Sequence, residues 1–208
     1  MSLNPPSDTK VIDNGNYIFY NGHNYRYKDS MTSILFMGVD KDELGTVKNV
    51  VGTGGQADAL YLIAIDTDNG VTTTFQISRN TMVDIDLYNT AGDFIRTENN
   101  QICLSYAYGD GKETSAENTV RSVRRLFYGL PVAQSYTALD ISGISALNDS
   151  IGGVTVTSPV TYKDDNNKVV YNEGQTYELH GKDAESFVRS RNHETASYND
   201  NRMARQKA

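Results

Sequence analysis

Four arginines and a glutamine stand close together near the C-terminal end of the chain: Arg189, Arg191, Arg202, Arg205 and Gln206, within FVRSRNHETASYNDNRMARQ. Arginine presents a planar fork of N–H donors that matches phosphate bidentately, so such a cluster is a candidate anion site. The background makes it visible. The whole chain carries a net charge of −7, yet residues 188–208 hold five Lys/Arg against only Glu194 and Asp200. Arg189 and Arg191 are two apart and share a face if the segment is extended. Arg202, Arg205 and Gln206 fall at i, i+3 and i+4 and share a face if it is helical. The same residues also read as solvated charges that complement a helix dipole, and spacing leaves both readings open.

Three further residues could join such chemistry. Asp40 ends the apolar run SILFMGVD (33–40), Asp58 follows a glycine-rich loop, and Arg79 follows the stretch VTTTFQI. Two carboxylates brought together suit magnesium, which takes oxygen ligands and keeps part of its water shell while binding phosphates. Taken singly, each also reads as a surface charge or turn residue. Other motifs carry less. GTGG (52–55) has no Gly-Lys-Ser/Thr after it and reads as a flexible loop rather than a phosphate cradle. DTDNG (66–70) lacks the distal Glu of a calcium loop and reads as a hairpin turn. No zinc-type ligand spacing occurs. The lone Cys103 has no disulfide partner in the chain, and none of His23, His180 and His193 is its neighbour in sequence. It reads as a small buried hydrophobe.

The elements that must position these residues are mixed. Residues 16–28 alternate aromatic and polar around Asn21-Gly22, which predicts a hairpin whose tyrosines pack half-buried across the strands. A strand at 33–40 and a hairpin pairing Leu60–Ile65 with Val71–Ile77 follow, with a glycine-rich loop over 44–56 between them. Thr114 and Glu117 have capping-box spacing, and Val120, Val123 and Phe127 recur at helical period before Gly129 and Pro131. A strand near 134–139, a short helix stopped by Gly152-Gly153, a strand VTVTSPVTY and a helix carrying Phe187 and Val188 complete the pattern. The expected class is α/β in the mixed α+β sense: a central mixed sheet flanked by helices, with an N-terminal β-hairpin.

At 208 residues the chain is long enough for one domain with a substantial core; we expect a linker stub over 1–15 and a single domain over 16–208. The acidic balance, with no helix-turn-helix and no basic stripe, argues against nucleic acid as a partner. No run approaches the roughly 18 apolar residues of a membrane span, and no signal-peptide pattern is present. A helix is still running at the terminal RQKA.

Taken in order, GVD, GGQADALYLIAID, FQISRNT, YGLPVAQSYTALD, LNDSIGGVTV, GKDAESFVRSR and NRMARQ resemble the LytR-CpsA-Psr family of bacterial cell-envelope proteins, from about residue 32 to the end. The resemblance implies an extracytoplasmic domain held to the membrane by an N-terminal helix outside this chain, with its C-terminal helix cut short. It implies an apolar groove for a polyprenyl chain. It implies a phosphotransferase that moves a glycopolymer from a polyprenyl-pyrophosphate carrier onto peptidoglycan. By that resemblance Asp40 and Asp58 hold magnesium (or manganese). Arg79, Arg189, Arg191, Arg202 and Gln206 surround the pyrophosphate, with Arg79, Asp58, Arg189 and Arg191 closest to the reaction; Arg205 lies on the same motif and also reads as structural. Two positions depart from the family pattern. Gln56 stands where an arginine is usual. Asn199 stands where an aspartate is usual, with Asp200 next to it. These departures define a divergent branch and keep two alternatives in view: hydrolysis of the lipid pyrophosphate, or non-enzymatic binding of a lipid-linked glycan in a family once labelled transcriptional attenuators.

Overall fold

The computed structural model describes residues 10–12, 17–41, 51–190 and 198–208, with the backbone alone at 10–12, 198 and 199. In chain order its elements are β1 (Lys10–Ile12), β2 (Tyr17–Tyr20), β3 (His23–Arg26), β4 (Met31–Val39), β5 (Ala57–Asp66), β6 (Val71–Ile77), β7 (Met82–Tyr88) and β8 (Phe94–Gln101). There follow α1 (Leu104–Ala107), α2 (Glu113–Leu126), β9 (Ser135–Leu139), α3 (Ile141–Ser150), β10 (Val154–Thr157), β11 (Tyr162–Lys163), β12 (Val169–Tyr171), β13 (Thr176–Leu179), α4 (Gly181–Arg189) and α5 (Tyr198–Lys207). They form two compact units, Met1–Asp140 and Ile141–Ala208, a boundary that falls inside the single stretch expected over 16–208.

The first unit is built on a four-stranded sheet in the order β6-β5-β4-β9. The β6–β5 and β5–β4 pairs are antiparallel and β4–β9 is parallel, so the sheet is mixed as expected. Parallel pairing needs a long crossover, and the chain between β4 and β9 supplies it with α2. Alternation along the strands buries Leu35, Met37 and Val39 beside Leu60, Leu62 and Ala64. Ala116, Val120 and Val123 of α2 complete that core. One irregularity matters for the site. Gly38 pairs with Ala59 and Val39 with Ala57, so Asp58 is an extra residue with no counterpart on β4. A bulge of this kind re-aims side chains at a strand end.

The β7–β8 hairpin was not expected from the residue pattern. Val83, Ile85 and Leu87 are buried, and between them Asp86 is buried too. Its carboxylate accepts from Thr97 Oγ1 at 2.8 Å, Arg125 Nη2 at 2.8 Å and Arg121 Nε at 3.1 Å, tying the hairpin to α2. Burial opposes its ionisation, but the hydrogen bonds from Thr97 and Arg125 and the neighbouring arginine charge outweigh that and hold it below the usual carboxylate range.

Three local expectations need correction. The N-terminal hairpin forms, with Asn21 and Gly22 at φ 49° and 78°, and β1 adds a third strand. Of its tyrosines Tyr27 is half-buried against the core, whereas Tyr17, Tyr20 and Tyr25 are exposed, because so short a ribbon has no layer to cover them. Thr114 does not cap α2. Asp110 does that work, accepting from the backbone N–H of Lys112 and Ser115 at 2.8 and 3.2 Å. VTVTSPVTY is two strands, since Pro159 cannot donate to a ladder; β10 pairs with β13 and β11 with β12.

The second unit has its own core of Tyr162, Tyr171, Leu179, Ala184 and Phe187. Tyr171 meets Phe187 edge to face at 4.9 Å between ring centroids.

The DTDNG turn between β5 and β6 carries a testable charge. Asp66 accepts from Lys28 Nζ at 2.7 Å on both oxygens and from Asn69 Nδ2 at 2.8 Å. The Lys28 bonds, then those from Asn69, pull its carboxyl down to about 2. A depressed folded-state value contributes stability above the unfolded value near 3.8 that is lost as pH falls through about 2. The urea midpoints of the wild type and Asp66→Asn should therefore converge as pH drops across that window. A gap independent of pH contradicts the assignment.

Candidate anion site

The C-terminal ends of β4 and β9 lie at the same end of the sheet, and here the chain gathers its polar residues. Asp40 directly follows β4, and its backbone N–H donates to Gln56 O at 2.9 Å. Gln56 directly precedes β5, and Asp58 is the bulge residue. Arg79 follows β6 in the turn Ser78–Thr81, closed by Thr81 N–H to Ser78 O at 2.9 Å.

The approach of the 51–56 segment depends on glycine. A Cβ on Gly54 would stand 2.7 Å from the Cα of Gly111, and Gly55 sits at φ +86° with Val39 only 2.9 Å from where a Cβ would be. Gly54 and Gly55 thus serve close packing, while Gly52, at φ +92°, has open space where a Cβ would be. Residues 44–50 of that expected loop lie outside the described residues.

Arg79 is the centre of the group. One terminal nitrogen, Nη1, forms an ion pair with Asp58 Oδ1. The other, Nη2, donates to Gln56 Oε1 at 2.5 Å and lies 3.6 Å from Cys103 Sγ. The side chains of Arg79 and Asp58 are 18% and 12% exposed, so the pair is largely withdrawn from water without being sealed. Cys103 is buried, as expected, and burial pushes its thiol up. Its backbone has a role that the sequence did not signal. Cys103 N–H donates to Arg79 O at 3.3 Å and its carbonyl accepts from Ala57 N–H at 3.1 Å, linking the turn that carries Arg79 to the strand that carries Asp58.

The C-terminal residues belong to the second unit. Arg189 is the last residue of α4 rather than part of an extended segment, and it pairs with Glu185 at 2.6 Å one turn earlier. Arg191 lies outside the described residues. Arg202, Arg205 and Gln206 do share α5, and the two arginines are buried at 4% and 3% exposure. Arg205 donates from Nε to Phe187 O at 2.8 Å and from Nη2 to Ser190 O, and its guanidinium lies 4.6 Å from the Tyr162 ring centroid. Gln206 Nε2 donates to Val188 O at 3.1 Å. Both side chains therefore satisfy carbonyls at the C-terminal end of α4, which lack partners within their own helix. Asp200 is exposed, and of Asn199 only the backbone is described.

Among the described residues no group of three or more His, Cys, Asp or Glu is placed to hold a metal. Asp40 and Asp58 still match magnesium in donor chemistry: both are oxygen ligands, they stand at the paired ends of β4 and β5, and that ion needs only one or two carboxylates beside phosphates and water.

The fold and this cluster define a mixed α+β protein with an arginine held between a carboxylate and an amide at one end of its sheet. The chain belongs to the LytR_cpsA_psr family, whose sequence model matches residues 7–208. It is 29% identical over 164 residues to a Bacillus cereus protein named polyisoprenyl-teichoic acid–peptidoglycan teichoic acid transferase TagU, covering 79% of this chain and 45% of that protein. An Enterococcus faecalis protein of the same name is 24% identical over 133 residues, covering 64% of this chain and 37% of that one. The chain thus spans less than half the length of these curated relatives. Among solved structures, B. subtilis TagV superposes with a TM-score of 0.60 at 26% identity, over 87% of this chain and 62% of that one. A LytR-Csp2A-Psr enzyme from Actinomyces oris shares the fold, with a TM-score of 0.53 at 18% identity over 85% of this chain and 56% of that one.

Proposed function

We propose that this domain moves a glycopolymer from a polyprenyl-pyrophosphate carrier onto peptidoglycan in cell-wall assembly. The observation that carries the reading is Arg79, set between Asp58 and Gln56 at the sheet end, in a chain similar to two proteins named as teichoic acid transferases. Phosphoryl transfer asks a protein mainly to position its reactants and neutralise charge. A pyrophosphate diester carries two negative charges, and a partly desolvated guanidinium stabilises charge that develops on the leaving phosphate.

In this reading an acceptor sugar hydroxyl attacks the phosphorus that bears the glycan. The new O–P bond forms as the bond to the bridging oxygen breaks. Polyprenyl phosphate departs, and the hydroxyl proton passes to a carboxylate, for which Asp58 and the exposed Asp200 are the candidates. Asp40 and Asp58 would hold magnesium, which supplies further neutralisation of the pyrophosphate. Arg189, Arg191, Arg202 and Gln206, which belong to the second unit, are the further phosphate-binding residues that the family resemblance implies. The work would take place on the outer face of a bacterial membrane. Among the described residues no helix is long and apolar enough to cross one.

Mass spectrometry of the products, with and without peptidoglycan, tests the reaction. Glycan on peptidoglycan and polyprenyl phosphate in the lipid fraction are expected only when acceptor is present. Release of glycan phosphate without acceptor makes the domain a hydrolase, and intact carrier in both arms makes it a binder. The metal assignment has its own readout. Calorimetric titration with magnesium should show binding in the wild type that Asp58→Asn loses, and equal affinity in both removes Asp58 as a ligand.

A further inference from the structure

By the resemblance read from the sequence Gln56 stands where an arginine is expected, and its contacts in the structure define what a neutral residue does there. Its Oε1 accepts from Arg79 Nη2 at 2.5 Å, while Asp58 takes Nη1 of the same guanidinium. The geometry points to Gln56 as a positioning residue for Arg79: a neutral acceptor that fixes the guanidinium toward pyrophosphate, in place of a second cation. This rests on the pyrophosphate reading above.

A guanidinium has five N–H donors in a rigid plane. Restraining one terminal nitrogen leaves the plane free to tilt about that contact. Restraining both fixes it, so that less rotamer freedom is lost when an anion arrives. Gln56 is itself held at its backbone, where its carbonyl accepts the Asp40 N–H at 2.9 Å. The packing of Gly54 against Gly111 and of Gly55 against Val39 fixes the two residues before it. The acceptor therefore stands on a constrained segment. Charge decides between residue types here. An arginine side chain has no acceptor and would repel Arg79, whereas a glutamate would supply the acceptor and cancel part of the charge the anion needs.

The test uses the whole chain, inorganic pyrophosphate as probe, and three variants. Gln56→Met keeps length and removes the acceptor, Gln56→Glu keeps the acceptor and adds a negative charge, and Arg79→Ala removes the cation. Gln56→Met should weaken pyrophosphate binding about tenfold, the scale of one charge-assisted hydrogen bond. Gln56→Glu should weaken it further, and Arg79→Ala most of all. NMR of the Arg79 side-chain nitrogens supplies a signature that a merely structural role would not move. In the wild type, rotation about the bonds to both terminal nitrogens should be slow enough to give resolved signals. In Gln56→Met the Nη2 rotation should speed up while Nη1 stays held. Freely rotating Nη2 in the wild type overturns the inference, even if the variants fail to fold. Wild-type pyrophosphate affinity in Gln56→Met, with Arg79→Ala deficient, overturns it while sparing the proposed function. Equal binding by the wild type and Arg79→Ala overturns both.

Discussion

Arg79→Ala is expected to weaken binding of a polyprenyl pyrophosphate about 100-fold while the chain still folds. The magnitude follows from the setting. Arg79 is only 18% exposed, so an anion that replaces its water meets a guanidinium in a medium where charge is poorly screened. A hydrogen bond to a charged group in such a place contributes about 1.5–3 kcal/mol, and roughly 2.7 kcal/mol corresponds to that loss. The fold should survive because the main-chain contact that fixes the turn, Arg79 O to Cys103 N–H, does not involve the side chain. Arg79→Lys should recover only a fraction, since an ammonium cannot engage Gln56 and Asp58 with separate nitrogens of one rigid plane. Affinity unchanged in Arg79→Ala by titration removes this residue from the site.

Arg205→Ala should do the reverse: cost stability and report little about anion binding. Its guanidinium satisfies the carbonyls of Phe187 and Ser190 and lies over the Tyr162 ring. Burial lowers the affinity of this side chain for its proton, while Tyr162 and Tyr171 raise it; the group stays cationic, as arginine does in proteins. Truncation leaves two helix-end carbonyls without this donor, at about 1–3 kcal/mol each where water cannot replace it, and removes a cation–π contact of about 1 kcal/mol. We expect a net loss of about 3 kcal/mol, read from urea unfolding. A midpoint within experimental error of wild type would show that Arg205 is not a clamp on α4. The contrast matters because Arg79 and Arg205 are both withdrawn from water, yet their partners differ. One faces a carboxylate and an amide at an open sheet end, the other a helix terminus and a tyrosine ring.

That contrast also marks what the chain discloses before folding. The β5–β6 hairpin was legible because the apolar run LYLIAI is followed by the DTDNG turn and then by the β-branched stretch VTTTFQI. The β7–β8 hairpin was not. Its second strand, FIRTENNQ, is almost wholly polar, and the buried Asp86 interrupts the apolar alternation of the first. What makes Asp86 tolerable is a pair of arginines on α2 that are 35 and 39 residues away in sequence. At the site, Asp58 and Arg79 could be nominated from their types and places, but the bulge that re-aims Asp58 arises from pairing with β4. Spacing correctly put Arg202, Arg205 and Gln206 on one helix. It could not show that Arg205 and Gln206 reach the end of α4, because a residue type that suits phosphate suits a helix carboxyl end equally well.

The central claim is that Arg79 receives the pyrophosphate of a lipid-linked glycan, and a crystal structure of the chain with a polyprenyl pyrophosphate tests it most directly. The account predicts diphosphate oxygens within hydrogen-bond distance of the Arg79 guanidinium, beside Asp40 and Asp58. A diphosphate bound elsewhere, with the Arg79 contacts to Asp58 and Gln56 undisturbed, would contradict it.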